Sequence, residues 1–186
     1  MADELIAVTG AGGGIGARVA RRLAAAGVTQ RLLTRDPARA PRLLGATATR
    51  ADFRDPGTVR QALTGVRTLF LVSATEDADR VQLHTDAVDA ALAAGVTRIV
   101  YLSFLAAAPD ATFTFARDHW HTEQRIRAAG IAYTFLRDNL YQDGLPFFAD
   151  AEGTIRGPAG AGRFAPVARD DVADVAAAVL RGTGQH

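Results

Sequence analysis

In the stretch VTGAGGGIG, Gly10, Gly13 and Gly16 recur at every third residue. Glycine has no Cβ, so such a run lets backbone N–H groups come close to a phosphate at a helix N-terminus. The usual dinucleotide fingerprint is G-x-G-x-x-G between a strand and a helix; the spacing here is G-x-x-G-x-x-G. Each position still meets a distinct demand: Gly10 the tight turn out of a strand, Gly13 the approach of a pyrophosphate, Gly16 the close packing of the helix on the sheet. A glycine turn without a ligand is the alternative. The apolar run Leu5–Val8 before the glycines and the amphipathic run after them favour nucleotide binding.

About 20 residues past such a loop, NAD-binding chains usually carry an acidic residue for the ribose hydroxyls. This sequence has Arg35 there, within Thr34-Arg35-Asp36. A guanidinium suits a 2′-phosphate and stacks on adenine, so NADP(H) is favoured over NAD(H). A solvated surface charge is the alternative for Arg35. Asp36 precedes Pro37 and reads as a helix cap.

A second group of chemically able residues lies in RDHWHTEQ. On a helix His119 and Glu123 share a face and His121 points elsewhere, so no metal site is expected. Glu123 is expected to form a helix-surface ion pair with Arg127, its i+4 neighbour. Asn139 and Tyr141 follow the sixth predicted strand at its C-terminal end, the crevice side of an open α/β sheet. They are candidate pocket residues, Tyr141 also a catalytic candidate; a packed loop aromatic is its alternative. Phe104, Leu105, Phe147 and Phe148 are candidates for an apolar acceptor pocket, against plain core. Ser103 closes the fifth predicted strand.

The elements that must carry these residues follow from periodicity. Strands are predicted at Leu5–Val8, Gln30–Thr34, Ala46–Phe53, Thr68–Ala74, Arg98–Phe104 and Ala132–Leu136. Helices are predicted from Ile15 to Ala26, from Asp55-Pro56 to Leu63, from Asp79 to Ala94, from Thr114 to Ala129 and from Asp171 to Leu180, with a short one opening at Asp36-Pro37. Asp170 and Asp171 are expected to cap the last helix. Near-continuous apolar strands alternating with helices imply an α/β fold, a parallel sheet covered on both faces. Tyr141 to Val167 is the least regular stretch.

At 186 residues the chain suits one domain, residues 1–186. The net charge of +1 supplies no basic field for nucleic acid. No apolar run reaches the roughly 20 residues of a membrane span, and the acidic start Met-Ala-Asp-Glu shows no secretory signal; a cytoplasmic protein is expected. There is no cysteine, and all 21 basic residues are arginines. Thiolate catalysis, Schiff bases and a Tyr-Lys proton relay are therefore excluded. The oligomeric state, a homo-oligomer included, is left open.

Seven colinear segments together resemble the NmrA-like, atypical short-chain dehydrogenase/reductases, a group with type 2 NAD(P)H:quinone oxidoreductases and triphenylmethane reductases among its members. They are VTGAGGGIG, LLTRDPARA, ADFRDPGTVRQAL, TLFLVSA, HTDAVDAALAAGVTRIVYLSF, DHWHTEQRIRAAGIAYTFLRDNLY and GRFAPVARDDVADVAAAVL. The resemblance implies a doubly wound Rossmann sheet of order 3-2-1-4-5-6. It also implies a pyrophosphate loop of Gly10, Gly13, Gly14, Ile15 and Gly16, a 2′-phosphate contact at Arg35, and an adenine contact at Asp52 and Phe53. Val72, Ser73 and Ala74 resemble the wall beside the nicotinamide ribose. Ser103 stands where a catalytic serine is often kept; without the tyrosine that standard short-chain dehydrogenases carry, the resemblance implies at most an orienting role for it, as a cofactor contact.

Where standard short-chain dehydrogenases carry Tyr-x-x-x-Lys, this chain has Phe115 and His119. The resemblance thus implies hydride delivery to a small electrophilic acceptor, such as a quinone, without a strong general acid. It puts His119 near the nicotinamide ribose as a cofactor contact or catalytic candidate, against a helix-surface histidine. The rival reading is an NADP(H)-reading redox sensor without turnover; a third is an inactive scaffold. Members of the group usually continue with a seventh strand and a helical substrate lid, whereas this sequence stops at VLRGTGQH. A largely absent substrate subdomain and an open pocket are expected.

Overall fold

Successive side chains of a strand point to opposite faces of a sheet, and this sequence loads both faces with apolar groups. In β1 (Ile6–Val8), Ile6 and Val8 face one core and Ala7 the other. β2 (Gln30–Thr34), β4 (Thr68–Val72) and β5 (Arg98–Phe104) divide in the same way. Leu32, Phe70, Val100 and Leu102 join the first cluster; Leu33, Leu69, Leu71, Ile99 and Tyr101 join the second.

The computed structural model describes residues 4–157 and 160–182. The readings of the acidic start at Met1 to Asp3 and of the last four residues lie outside these. With β3 (Ala46–Arg50) and β6 (Ala132–Asp138), six strands form one sheet in the order β3-β2-β1-β4-β5-β6. Every pairing is parallel. This is the expected doubly wound order, with its reversal between β1 and β4.

Helices α1 (Gly14–Ala25) and α5 (Arg169–Arg181) cover the first face through Val19, Leu23, Val172, Ala176 and Leu180. Helices α2 (Pro56–Ala62), α3 (Arg80–Ala93) and α4 (Thr114–Ala128) cover the second through Val59, Val88, Ala91 and Ile126. Val19 and Leu23 have no exposed surface, so each contributes about 1.5–3 kcal/mol by leaving water.

Two expected caps form. Asp36 accepts from the Ala38 N–H at 3.0 Å and Asp55 from the Thr58 N–H at 3.4 Å. The cap expected at Asp170/Asp171 does not. Helix α5 begins at Arg169, its N-cap is Ala168, and no side chain caps it. The two aspartates fall inside the first turn, where their charge favours the helix dipole, and Asp170 pairs with Arg18 and Arg22 of α1. Two strands end earlier than expected. β3 stops at Arg50, because Asp52 turns back to bridge Asp55. β4 stops at Val72, leaving Ser73 and Ala74 as irregular backbone. β6 runs two residues past Leu136, to Asp138, paired throughout with β5.

Candidate functional site

The C-terminal ends of β1, β2 and β4 open onto a cavity of about 590 Å³. Thr9, at the end of β1, holds the floor of the switch point. Its hydroxyl donates to the Phe70 carbonyl at 3.2 Å and accepts from the Val72 N–H at 2.7 Å. Gly10 then turns the chain with φ +61°, a region most L-residues avoid. Gly16 is required by space: a Cβ there would stand 2.4 Å from the Gly10 carbonyl oxygen. Helix α1 can therefore lie against the loop, with Gly13 as its N-cap and no side-chain hydrogen bond capping its first turn. The N–H groups that a helix leaves unpaired at its start belong here to Gly14, Ile15 and Gly16 on the cavity wall.

On the β2 side the wall carries Arg35 and Arg39, at the two ends of the short turn opened by Asp36-Pro37. Neither guanidinium has an ion-pair partner among the described residues. Asp52 and Phe53 line the same end. On the β4 side lie Val72, Ser73 and Ala74, and the far wall is closed by Tyr141 and Arg169. Arg169 lies over the Tyr141 ring, 4.6 Å from its centroid, and ion-pairs with Asp143. The Tyr141 hydroxyl donates to Asp138 Oδ2 at 2.6 Å. Burial pushes the Asp138 carboxyl up to about 6, against the pull of that hydrogen bond. Burial and the neighbouring Asp138 charge raise the Tyr141 phenol above its ordinary value.

Twelve of the residues singled out in the sequence thus line one cavity: Gly10, Gly13, Gly14, Ile15, Gly16, Arg35, Asp52, Phe53, Val72, Ser73, Ala74 and Tyr141. Seven other candidates do not line it: Ser103, Phe104, Asn139, His119, Leu105, Phe147 and Phe148. Ser103 is fully buried and donates to Glu123 at 2.7 Å. Phe104 packs between Phe113 and His119. Asn139 donates to the Ala165 carbonyl at 2.9 Å and so anchors the irregular segment.

His119 is neither a surface histidine nor a wall residue. It is 5% exposed and both ring nitrogens are engaged. Nε2 lies 3.1 Å from Arg80 Nη2 and Nδ1 lies 2.8 Å from the Tyr101 hydroxyl. A guanidinium only donates, so Nε2 accepts and Nδ1 carries the proton. Burial and the Arg80 charge push the imidazole down to about 3. Two other expectations are corrected. Glu123 does pair with Arg127, yet it has no exposed surface; α4 turns it inward, onto Ser103 and Arg137. Leu105, Phe147 and Phe148 are exposed, away from the cavity wall. No cluster of three or more His, Asp or Glu side chains able to hold a metal ion occurs among the described residues. No helix among them is long and apolar enough to cross a membrane.

Sequence reasoning missed Arg39 and Arg169. Arg39 had a signal, since it lies four residues after Arg35 across a proline-initiated turn. Arg169 had none: it reaches the cavity from the far end of the chain, its Cδ 3.4 Å from where a Cβ on Gly14 would be.

Residues 10–183 match a family of proteins described as NAD(P)H-binding. The chain is 35% identical over 189 residues to quinone oxidoreductase 2 of Escherichia coli strain K12, covering 98% of this chain and 66% of that protein. It is 32% identical to the NAD(P)H azoreductase of Xenophilus azovorans, covering 98% and 65%. The triphenylmethane reductase of Citrobacter sp., solved with NADP(H), superposes with a TM-score of 0.86 at 32% identity, covering 96% of this chain and 66% of that one. The chain therefore spans slightly less than two thirds of the length of these relatives.

Proposed function

The chain belongs to the NAD(P)H-binding family that matches it from residue 10 to residue 183, and on that premise we propose that it binds NADPH across the strand ends and serves hydride transfer to a small electrophilic acceptor, such as a quinone. One observation carries this reading: a single cavity runs from Arg35 and Arg39, past the uncapped start of α1, to Val72, Ser73, Ala74 and Tyr141. Its parts fit the parts of a dinucleotide. Two unpaired guanidiniums suit the 2′-phosphate. Glycine backbone and the helix N-terminus suit the pyrophosphate. Asp52 and Phe53 suit the adenine, and the β4 end suits the nicotinamide ribose.

The bound cofactor supplies the hydride; the chain supplies position and proton handling. Phe115 cannot donate a proton and His119 is turned inward, so neither takes the role of a Tyr-Lys pair. Tyr141 is the phenol that faces the cavity, and Asp138 behind it can hold a proton near neutral pH. Together they can hold and pass one proton at the Tyr141 oxygen. Quinones and azo dyes, the substrate types in the names of the relatives, accept hydride readily and place a light demand on such an acid.

The absence of a proton donor at Phe115 and the inward turn of His119 also favour a second reading, an NADP(H)-binding redox sensor without turnover. A panel of small quinones assayed by loss of nicotinamide absorbance separates the two. Acceptor-dependent oxidation of NADPH is the expected result. Tight binding with no turnover on any acceptor would leave the sensor.

A further inference from the structure

Behind the cavity wall, two side chains one turn apart on α3 grip both backbone polar groups of a single residue in irregular backbone. The Ala74 N–H donates to His84 Nε2 at 2.8 Å, and Arg80 Nε donates to the Ala74 carbonyl at 3.0 Å. Ala74 itself lines the cavity. Its backbone is thus committed to α3, and what it offers a ligand is the placement of its Cβ and of its neighbours Ser73 and Thr75. The grips are buried: Arg80 is 4% exposed and His84 has no exposure.

Each grip is anchored on α4. Because His84 Nε2 accepts, its Nδ1 carries the proton and donates to Thr122 Oγ1 at 2.9 Å, while the Thr122 hydroxyl donates to the Asp118 carbonyl at 2.9 Å. Arg80 pairs with Asp118 at 3.2 Å, donates to His119 Nε2 at 3.1 Å, and rests on the face of Phe115 with its guanidinium carbon 4.9 Å from the ring centroid. The two helix positions that correspond to a tyrosine and a lysine in standard short-chain dehydrogenases, Phe115 and His119, here form the socket of Arg80.

We infer that His84 and Arg80 are positioning residues for the cofactor, holding the Ser73–Thr75 wall through the backbone N–H and C=O of Ala74, and that Phe115 and His119 act in this chain as the seat of that clamp. The inference rests on the proposed NADPH site. A clamp of this kind acts on affinity through geometry. Freed of one hydrogen bond, the wall segment samples other conformations and only the fraction in the right one binds.

The test compares His84→Leu, which removes the acceptor for the Ala74 N–H, with His84→Gln, whose side-chain oxygen can still accept. NADPH affinity is read by fluorescence titration and Ala74 amide exchange by NMR in the cofactor-free protein. His84→Leu is expected to weaken NADPH binding about 10-fold and to speed Ala74 exchange by a similar factor. His84→Gln should restore most of both. If His84→Leu does not fold, Phe115→Ala, which loosens the seat from the far side, gives the same two readings. Unchanged affinity and exchange in the substituted proteins overturn the inference. Equal loss in His84→Leu and His84→Gln overturns it too, since hydrogen-bond acceptance would not then be the cause. Failure of the unaltered protein to bind NADPH would instead sink the cofactor reading itself, and this inference with it.

Discussion

Arg137 closes a fork on Glu123: Nε lies 2.9 Å from Oε1 and Nη2 lies 2.6 Å from Oε2. Ser103 donates to the same carboxylate from β5 and Arg127 donates from the next turn of α4, at 3.1 Å. Burial by itself would raise the Glu123 carboxyl; the Arg137 fork, the Ser103 hydroxyl and the Arg127 charge hold it below its usual range. One ionised, buried group thus ties the edge strand β6 to β5 and α4.

Glu123→Leu leaves the inward groups of Ser103 and Arg137 without a partner. Breaking such a pair from one side costs about 3 kcal/mol, the lower end because both arginines are partly exposed. Ser103→Ala, which removes one hydrogen bond, costs about 1 kcal/mol. Urea unfolding measures both. NADPH affinity should be unaltered in Ser103→Ala, since its hydroxyl is spent on Glu123; a large drop would return Ser103 to the binding site.

Gly16 and Gly13 should fail differently. Gly16→Ala forces a methyl group against the Gly10 carbonyl and should cost about 1–3 kcal/mol by overpacking, seen as a lower melting temperature before any cofactor is added. Gly13 has an ordinary φ of −106°, and a Cβ there would meet only the Gly10 oxygen, at 3.2 Å. Gly13→Asp should therefore fold and melt near the unaltered protein while losing NADPH, because it sets a carboxylate where a pyrophosphate belongs. Normal NADPH affinity in Gly13→Asp would contradict the loop assignment.

Arg35→Ala and Arg39→Ala should each weaken NADPH by about 10- to 100-fold, the worth of a charge-assisted hydrogen bond, and leave NADH nearly unchanged. Titration of both nucleotides against both variants is the check. Equal losses for NADPH and NADH would mean that the guanidiniums hold something other than the 2′-phosphate.

Acid should destabilise the protein through its buried histidines. His84 and His119 are both held neutral, first by burial and then by the Arg80 charge. Their folded values lie below the ordinary 6.5, so from pH 6.5 downward the unfolded chain takes up protons that the folded one refuses. The stability they confer is whole above that pH and is lost as pH falls below it, for His119 down to about 3. For His119 alone the loss at pH 5 is about 2 kcal/mol. Asp138 works the other way: its raised carboxyl is protonated in the folded state between about 6 and its ordinary value, which adds stability on acidification. With two histidines losing stability on acidification against one carboxyl gaining it, a net uptake of protons on unfolding remains, so stability falls as the pH falls. Melting curves at pH 7.5, 6 and 5 should show the fall, steepened by Asp138→Asn and flattened by His119→Gln.

Much of the fold was legible because it rests on local rules. The apolar strand runs, the Asp36 and Asp55 caps and the spacing of Gly10, Gly13 and Gly16 each act within a few residues. Of the cavity lining, Arg35 was legible from its place after β2, and Asp52 and Val72 only through the family resemblance. What could not be read came from helix rotation and from distance along the chain. Whether Glu123 and His119 face solvent or the sheet depends on how α4 rolls against β5, and with aromatics on several sides of that helix the pattern is ambiguous. The grip of Arg80 and His84 on Ala74 has no motif, since it depends on where β4 stops. Arg169 meets Tyr141 only after α5 has docked.

That docking also sets an order of events. Arg22 of α1 hydrogen-bonds Asp174 of α5 across 152 residues of sequence, and Val19 and Leu23 share their core cluster with Val172, Ala173 and Leu180. A ribosome releases the glycine loop and α1 early, yet the apolar side of α1 stays unsealed until residues 169–181 emerge. The first part of the site to be synthesised is therefore among the last to be locked, and a nascent chain paused before α5 would expose Val19 and Leu23 to chaperones or to aggregation.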